Sequence, residues 1–408
     1  MANGKLPLEG IRVTDFTWYA AGPLVTKVLA EFGAQVIKIE SSTRLDGLRH
    51  QQPIADGKTG VNCSGWFNNL NSNKLSITLN MNHPRALDIA KKLIRVSDIV
   101  VDNFTPRIME RWGLTPEDIL RMKPDVIVVK EPMQGNDGPH KDYLGFGMLL
   151  QALGGMNTLM GFPDRPPVGT GIQYTDYSGN PYHTMFAILG ALRHRRRTGQ
   201  GQIIELSQLE SSVAITETAI LEYNANGRVQ ERIGNRLPYA APHGAFRCAG
   251  DDRWVGIAVF TDEDWRSFCR VVGNPSWCQD PKFATLSGRL DNVDELERNV
   301  EAWTQQRTPE EVMMLLQQAG VAAGVVNTGE DMLVRCPQMR ARGHYVYLDH
   351  AEAGHTAYDG VTIKMSATPG VMRTPAPLLG EHTDFVCKDI LGLTEDEVNE
   401  LIIEGAFE

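Results

Sequence analysis

Residues 10–40 read "GIRVTDFTWYAAGPLVTKVLAEFGAQVIKIE". The run "GIRVTDFT" is a short strand candidate. "GPLVTKVLAEFG" has helical spacing, with Pro23 near its start and Gly33 just past its end, and "AQVIKIE" is a second strand. This strand–helix–strand unit sets the fold class, because the same rhythm continues. A helix is predicted over 84–96, a strand at "DIVVDNF", a helix at "PEDILRMK" and a strand at "DVIVVKE". Together they predict an α/β chain whose parallel sheet is covered by helices on both faces. The first strand-to-helix loop, "TWYAAGP", lacks the G-x-G-x-x-G glycines that let a dinucleotide pyrophosphate approach the backbone, so the rhythm alone does not support a nicotinamide enzyme.

At 408 residues the chain is long enough for two domains. The net charge of −10 supplies no broad basic face for nucleic acid. Six cysteines (63, 248, 269, 278, 336 and 387) are scattered without a C-x-x-C pair, which suits a reducing, cytoplasmic setting, and neither a targeting segment nor an 18-residue apolar run is expected. Downstream, "QIIELS" is a further strand and "QLESSVAITETAILEYNA" a long helix. Glycine, proline and polar turns then separate short β-like runs, which marks a second domain. That domain holds helices at "TDEDWRSFCRVVG" and "TPEEVMMLLQQAG"; β-like "GHYVYLDH" and a terminal helix in "LTEDEVNELIIEG" come after it.

Chemistry concentrates at residues 169–201, "GTGIQYTDYSGNPYHTMFAILGALRHRRRTGQG". Asn180 and Pro181 read as the cap and first residue of a helix. Apolar residues recur at Tyr182, Met185, Phe186, Leu189 and Leu192, and basic residues with a glycine close it. Asp176 then lies close to the positive end of that helix. A carboxylate held there is expected to stay ionised, as suits a nucleophile, although a turn former or cap is the plainer reading. The arginines between 193 and 197 read as a complement to the helix dipole. The ten histidines show no metal-ligand spacing and there is no G-x-S-x-G elbow, so neither a metal site nor a serine hydrolase is expected.

Four ordered stretches carry a resemblance: "LEGIRVTDFTWYAAGPLVTKVLAEFGAQVIKIE", "NSNKLSITLNMNHPRA", "DNFTPRIMERWGL" and "APLLGEHTDFVCKDILGLTEDEV". With "DYSG" before a helix and "RRTGQGQ" after it, the chain resembles the class III CoA-transferases (the CaiB/BaiF, or formyl-CoA transferase, family) over nearly its whole length. The resemblance implies a Rossmann-like large domain with a parallel sheet, a smaller α+β domain, and two chains interlocked as a dimer. The corresponding boundaries are 1–210 for the first part of the large domain, 211–230 for a linker, 231–330 for the small domain, and 331–408 for the return linker and the rest of the large domain.

It further implies that Asp176 is the catalytic nucleophile, forming covalent acyl and CoA intermediates. Asn71, Asn73, Lys74 and Arg111, with Lys130 a weaker member, would contact coenzyme A. Neither metal nor NAD is implied. The chain departs from the formyl-CoA enzymes in having Ala20 where they carry a glutamine and Ser41 where they carry an arginine, and it lacks their glycine-rich lid. The related 2-methylacyl-CoA racemases use a histidine in a "GHD"-like motif; here the motif is "GFG", with Phe146 in its place, which leaves a racemase one base short. Aromatic residues collect beside motif positions: Trp18, Tyr19, Phe146, Tyr174 and Tyr177, together with Trp66, Phe67 and Trp112. They point to a bulky or aromatic acyl group. Within the family the chain looks like the subunits that pass CoA from succinyl-CoA to benzylsuccinate, which pair two related chains. A racemase, or a non-catalytic CoA-binding subunit, is the alternative reading. The partners implied are an acyl-CoA, a carboxylic acid, and a second chain that is identical or paralogous, with no nucleic acid and no membrane.

Overall fold

A computed structural model describes residues 5–408. The described residues form two compact units: residues 5–156, 169–228 and 338–408, and residues 157–168 and 229–337.

The first unit is built on six parallel strands in the order β3-β2-β1-β4-β5-β6. They are β1 (Arg12–Asp15), β2 (Gln35–Glu40), β3 (Leu75–Thr78), β4 (Ile99–Asp102), β5 (Ile127–Lys130) and β6 (Gln202–Glu205). β1 pairs with both β2 and β4, so the chain reverses its direction of travel across the sheet between β1 and β4. In open parallel sheets that point leaves a crevice at the carboxyl ends of the strands. Between the strands run α1 (Ala21–Glu31), α2 (Gly65–Leu70), α3 (Pro84–Val96), α4 (Pro106–Arg111) and α5 (Pro116–Met122). After β5 come α6 (Gly147–Leu153), a one-turn α7 (Met156–Leu159), α8 (Tyr174–Ser178) and α9 (Asn180–Thr198), and β6 leads into α10 (Gln208–Val213) and α11 (Glu217–Asn226).

Strand side chains alternate between two cores, as a sheet buried on both faces requires. Val13, Val36, Val101 and Val129 join Val25 and Leu29 of α1 and Met185 and Ile188 of α9 on one face. Ile37, Ile39, Val100 and Val128 join Ile89 and Leu93 of α3, Ile119 of α5, and Val398 and Leu401 of the C-terminal helix Glu395–Ile403 on the other. α3 starts with Pro84 and buries Ala86, Ile89, Ala90, Leu93 and Ile94, one continuous stripe at helical spacing.

The second unit has an antiparallel sheet, β7-β8-β9, of His243–Arg247, Trp254–Ala258 and Ala322–Val325. Its helices include α12 (Asp262–Val271), α13 (Leu286–Asp291), α14 (Val293–Thr304) and α15 (Pro309–Gln318), packed around Trp265, Phe268 and Phe283. Back in the first unit, β10 (Tyr345–His350) and β11 (Gly354–Asp359) form a hairpin.

Several local expectations are corrected. "LSIT" is a strand that the sequence pattern does not announce. The long helix expected at "QLESSVAITETAILEYNA" is divided into α10 and α11 by a short tighter turn at Ala214–Thr216, and 157–168 belong to the second unit. Asn180 is not the cap of α9 but lies inside the helix, with Gly179 at the cap position and no side-chain cap bond. Asp176 does not sit in a loop ahead of that helix. It is the third residue of the short helix α8, which runs almost directly into α9.

Candidate active site

A cleft of about 440 Å³ opens at the carboxyl ends of the parallel strands, within the first unit. Its wall is assembled from the segments that leave each strand: Trp18–Ala21 after β1, Ser41, Thr43 and Arg44 after β2, Leu79–Asn82 after β3, Asn103–Thr105 and α4 after β4, and Met133 after β5. Asp176 and Gln208 also line it, as do Tyr143–Phe146. The positive charge in the lining comes from Arg44, Arg107 and Arg111.

Buried ion pairs fix the floor under the first loop. Lys38 donates to Asp46 at 3.0 Å and to the Thr17 carbonyl at 2.7 Å, and Arg49 grips Glu40 through two bonds of 2.7 and 2.8 Å. Asp46 in turn accepts the Tyr19 N–H at 3.0 Å, holding Tyr19 at φ 62, a left-handed conformation unusual for an aromatic residue. The Tyr19 ring meets the Phe146 ring at 5.4 Å between centroids. Two loops far apart in sequence thus join as one aromatic wall of the cleft.

Asp176 is only 4% exposed. Burial pushes its carboxyl up to about 7, against the Gly147 N–H and the Asn180 side chain, which favour the ionised form. The expectation of a fully ionised carboxylate is therefore corrected: desolvation outweighs the neighbouring helix start. Oδ1 of Asp176 is buried and has no hydrogen-bond partner among the described residues. Asn180 donates to Gln208 Oε1 at 3.4 Å, and Gln208 Nε2 donates to the Glu131 carbonyl at 2.6 Å. Glu131, fully buried and bonded by the Thr184 hydroxyl, has its carboxyl raised to about 8 by burial, with the charges of Asp102, Asp15 and Asp176 adding to the effect. The result is one carboxylate poised near neutrality at the wall of a cleft, backed by a second that is held neutral.

Comparison with known sequences gives the family. The family model of CoA-transferase family III matches residues 8–383. The chain belongs to CoA-transferase family III. It is 34% identical to the succinyl-CoA–D-citramalate CoA-transferase of Chloroflexus aurantiacus over 96% of both chains. Against the beta subunit of succinyl-CoA–L-malate CoA-transferase from the same organism, identity is 33% over 97% of both chains. Among solved structures, a CaiB/BaiF family protein from Brucella suis superposes with a TM-score of 0.86 at 27% identity, covering 95% of this chain and all of that one. The chain is accordingly a CoA-transferase enzyme with coenzyme A as a substrate component.

In this family III enzyme the residues expected at the CoA site separate into two groups. Arg111, the last residue of α4, lines the cleft. Lys74 does not: its ammonium meets Asp15 at 3.1 Å, the Pro23 carbonyl at 3.1 Å, Thr26 at 2.7 Å and Asn71 at 3.0 Å, more acceptors than it has hydrogens. The Asn71 side chain is closed by that bond and by its own donation to the Phe67 carbonyl at 2.8 Å. Asn73 donates to the Val371 carbonyl and accepts the N–H groups of Arg373 and Thr374, tying the returning chain down. Lys130 pairs with Asp102 at 3.0 Å, both buried. Of the expected aromatic residues, Trp18, Tyr19, Trp112 and Phe146 line the cleft, and Trp66 and Phe67 do not. Tyr177 is instead hydrogen-bonded by the Trp66 indole, its phenol pushed up to about 12 by burial, and neither it nor Tyr174 is part of the lining.

Arg44, Arg107, Asn103 and Gln208 were not singled out from the sequence. For Arg107 a signal existed, since it precedes Arg111 by four residues on α4 and so shares its face. Gln208 gave none, because it reaches the cleft from the far side of β6. Among the described residues no cluster of His, Cys, Asp and Glu could hold a metal ion, and no helix is long and apolar enough to cross a membrane.

Proposed function

We propose that this enzyme moves CoA from an acyl-CoA donor, succinyl-CoA, to a free carboxylic acid with a bulky or aromatic body, such as benzylsuccinate, through covalent intermediates on Asp176. The observation that carries the reading is a buried carboxylate near neutrality in the same cleft as three arginines and an aromatic wall. Asp176 attacks the donor thioester carbonyl; the C–S bond breaks, CoA leaves as thiolate, and the acyl group is held as a mixed anhydride. The thiolate then attacks the aspartyl carbonyl, releasing the donor acid and leaving an aspartyl-CoA thioester. The acceptor carboxylate displaces the thiolate to form a second anhydride. Return of the thiolate to the acceptor acyl carbon frees Asp176 and the new acyl-CoA. Each step exchanges one activated carbonyl for another, so no nucleotide is consumed, and the low exposure of Asp176 keeps water from hydrolysing the intermediates.

Arg111, with Arg44 and Arg107, is assigned to the phosphates of CoA, as planar charged donors suit such groups. Asn71, Asn73, Lys74 and Lys130 support the wall from behind. The Tyr19–Phe146 pair faces the acyl group. Two interlocked chains, identical or paralogous, form the working enzyme, in a cytoplasmic setting consistent with six free cysteines.

The test supplies succinyl-CoA to the purified chain and analyses the Asp176 peptide by mass spectrometry, with aromatic and aliphatic acids then offered as acceptors. A CoA thioester or acyl adduct on Asp176, absent in Asp176→Ala, is expected. Full transfer activity in Asp176→Ala overturns the reading. Solvent deuterium entering the α-carbon of a 2-methylacyl-CoA would point instead to racemase chemistry, for which Phe146 offers no base.

A further inference from the structure

Beside Asp176 lies Gly147, the second glycine of "GFG", and its backbone does not explain why it is glycine, since it is not among the residues with positive φ. Space does. A methyl group built on its Cα would fall 2.5 Å from Asp176 Oδ2, 2.8 Å from Asp176 Cγ and 2.7 Å from Gln173 Cβ. Real side chains do not approach so closely, so either the carboxylate or the backbone must move.

The backbone is not free to move. One turn further along α6, Gln151 is fully buried and donates to the Ile172 carbonyl at 2.5 Å. Its carbonyl oxygen accepts from the Thr170 N–H at 3.3 Å and the Thr170 hydroxyl at 3.0 Å. Gln151 thereby pins α6 to residues 170–172, which lead directly into α8, while the Asp176 N–H is anchored on the Gln173 carbonyl at 3.0 Å. With both helices held, the carboxylate must swing away from the methyl, while the contact with Gln173 Cβ, which follows its own backbone, adds a strain that stays the same whatever residue stands at 176.

We propose that Gly147 is the positioning residue of the nucleophile: having no side chain, it lets the Asp176 carboxylate lie against the start of α6 with the Gly147 N–H facing it. This rests on the reading of Asp176 as nucleophile and adds what fixes its attacking geometry. It also gives "GFG" a second meaning. Phe146 withholds a base from the cleft, and position 147 has no room for a side chain beside Asp176, so neither residue can supply a second base there. Displacement of a reacting group by about 1 Å costs on the order of 100-fold in rate.

The experiment compares the full-length wild type with Gly147→Ala. Wild-type adduct formation on Asp176 is measured first, and its absence would defeat the nucleophile reading itself. With the adduct present, Gly147→Ala is expected to slow single-turnover labelling by roughly 100-fold, to leave the dissociation constant for CoA within about threefold, and to move the acid limb of the rate–pH profile upward as the Gly147 N–H is lost to the carboxylate. A general loosening of the fold would instead let water reach the carboxylate and move that limb downward. Stability provides a second readout that survives poor folding: the destabilisation caused by Gly147→Ala should shrink when Asp176→Ala is present as well, because the two side chains compete for one space. Wild-type labelling rate and an unmoved acid limb in Gly147→Ala, or an equal destabilisation with and without the Asp176 side chain, overturns the inference while leaving the nucleophile in place.

Discussion

In the proposed reaction Asp176 must be a nucleophile toward a thioester while buried where charge is disfavoured, and both demands act through one proton. Only the ionised carboxylate attacks, so the first half-reaction should rise with pH through about 7, the value to which burial lifts the group. Single-turnover labelling from pH 5 to 9 checks this, and a rate already flat by pH 5 would contradict it. The same proton sets a stability trend. In the unfolded chain the group ionises at its ordinary 3.8, whereas the folded protein keeps the proton up to about 7. Between those values the unfolded state releases a proton that the folded state retains, so folding loses ground as pH rises from about 4 to about 7 and the loss is constant above. A displacement of that size corresponds to at most about 4 kcal/mol. Asp176→Asn, which does not titrate, is therefore expected to be inactive yet more stable than wild type. Its advantage in urea unfolding should be small near pH 4 and reach its full size above pH 7. A wild type that outlasts it at pH 8 would refute the argument. The sequence could nominate Asp176, because its neighbours form a recognisable pattern. It could not give the charge state, which depends on burial by α6, α9 and Gln208, segments whose proximity no local window records.

At the scale of elements, the strand–helix rhythm was legible because each long helix carries its own stripe and each central strand is a run of β-branched residues. β3 escaped: four residues of "LSIT" between polar neighbours offer too little periodicity, and it is recognisable only once it pairs with β2. The motif before it, "NSNK", was readable as important but its task was not. Its asparagines and lysine do structural work, and Asn73 makes the point testable. Its φ of 62 suits glycine or asparagine, and its side chain makes three bonds to residues 371–374. Asn73→Ala loses those bonds and strains the left-handed backbone, for a cost of about 3 kcal/mol. Asn73→Gly loses the bonds without the strain and should be about 1 kcal/mol less damaging. Chemical denaturation of both variants alongside CoA titration decides the matter. A large loss of CoA affinity with unchanged stability would return Asn73 to the CoA site. Lys74 obeys the same logic more severely, since Lys74→Met leaves Asp15 buried without its nearest cation, at about 3 kcal/mol or more.

For the whole molecule, the distribution of apolar surface is the unfinished part of the chain. Tyr182, Phe186 and Leu189 share the apolar face that helical spacing assigns to α9, yet in this chain they are 44%, 82% and 54% exposed. Of that face only Met185 is buried, and Thr184, Ile188 and Ala191 fill the core beside it. α11 goes further: it has no buried residue at all, although Ile220, Leu221 and Tyr223 lie along it. A ten-residue helix that buries nothing has little reason to form alone in water, because packing of a face supplies most helical stability. Exposed apolar faces on this scale mark surfaces made to be covered, and the second related chain of the proposed enzyme would be the cover. Sedimentation of the purified chain at micromolar concentration should therefore give a dimer of the 45.2 kDa subunit. Phe186→Glu and Leu221→Glu, which place charge on those faces without touching the cleft, should yield monomer or aggregate with lost activity. If the chain alone sediments as a monomer, co-expression with a paralogous chain is the deciding arm: a one-to-one complex that both substitutions disrupt keeps the surfaces as an interface between related subunits. A stable, fully active monomer carrying either glutamate removes the second chain from the mechanism.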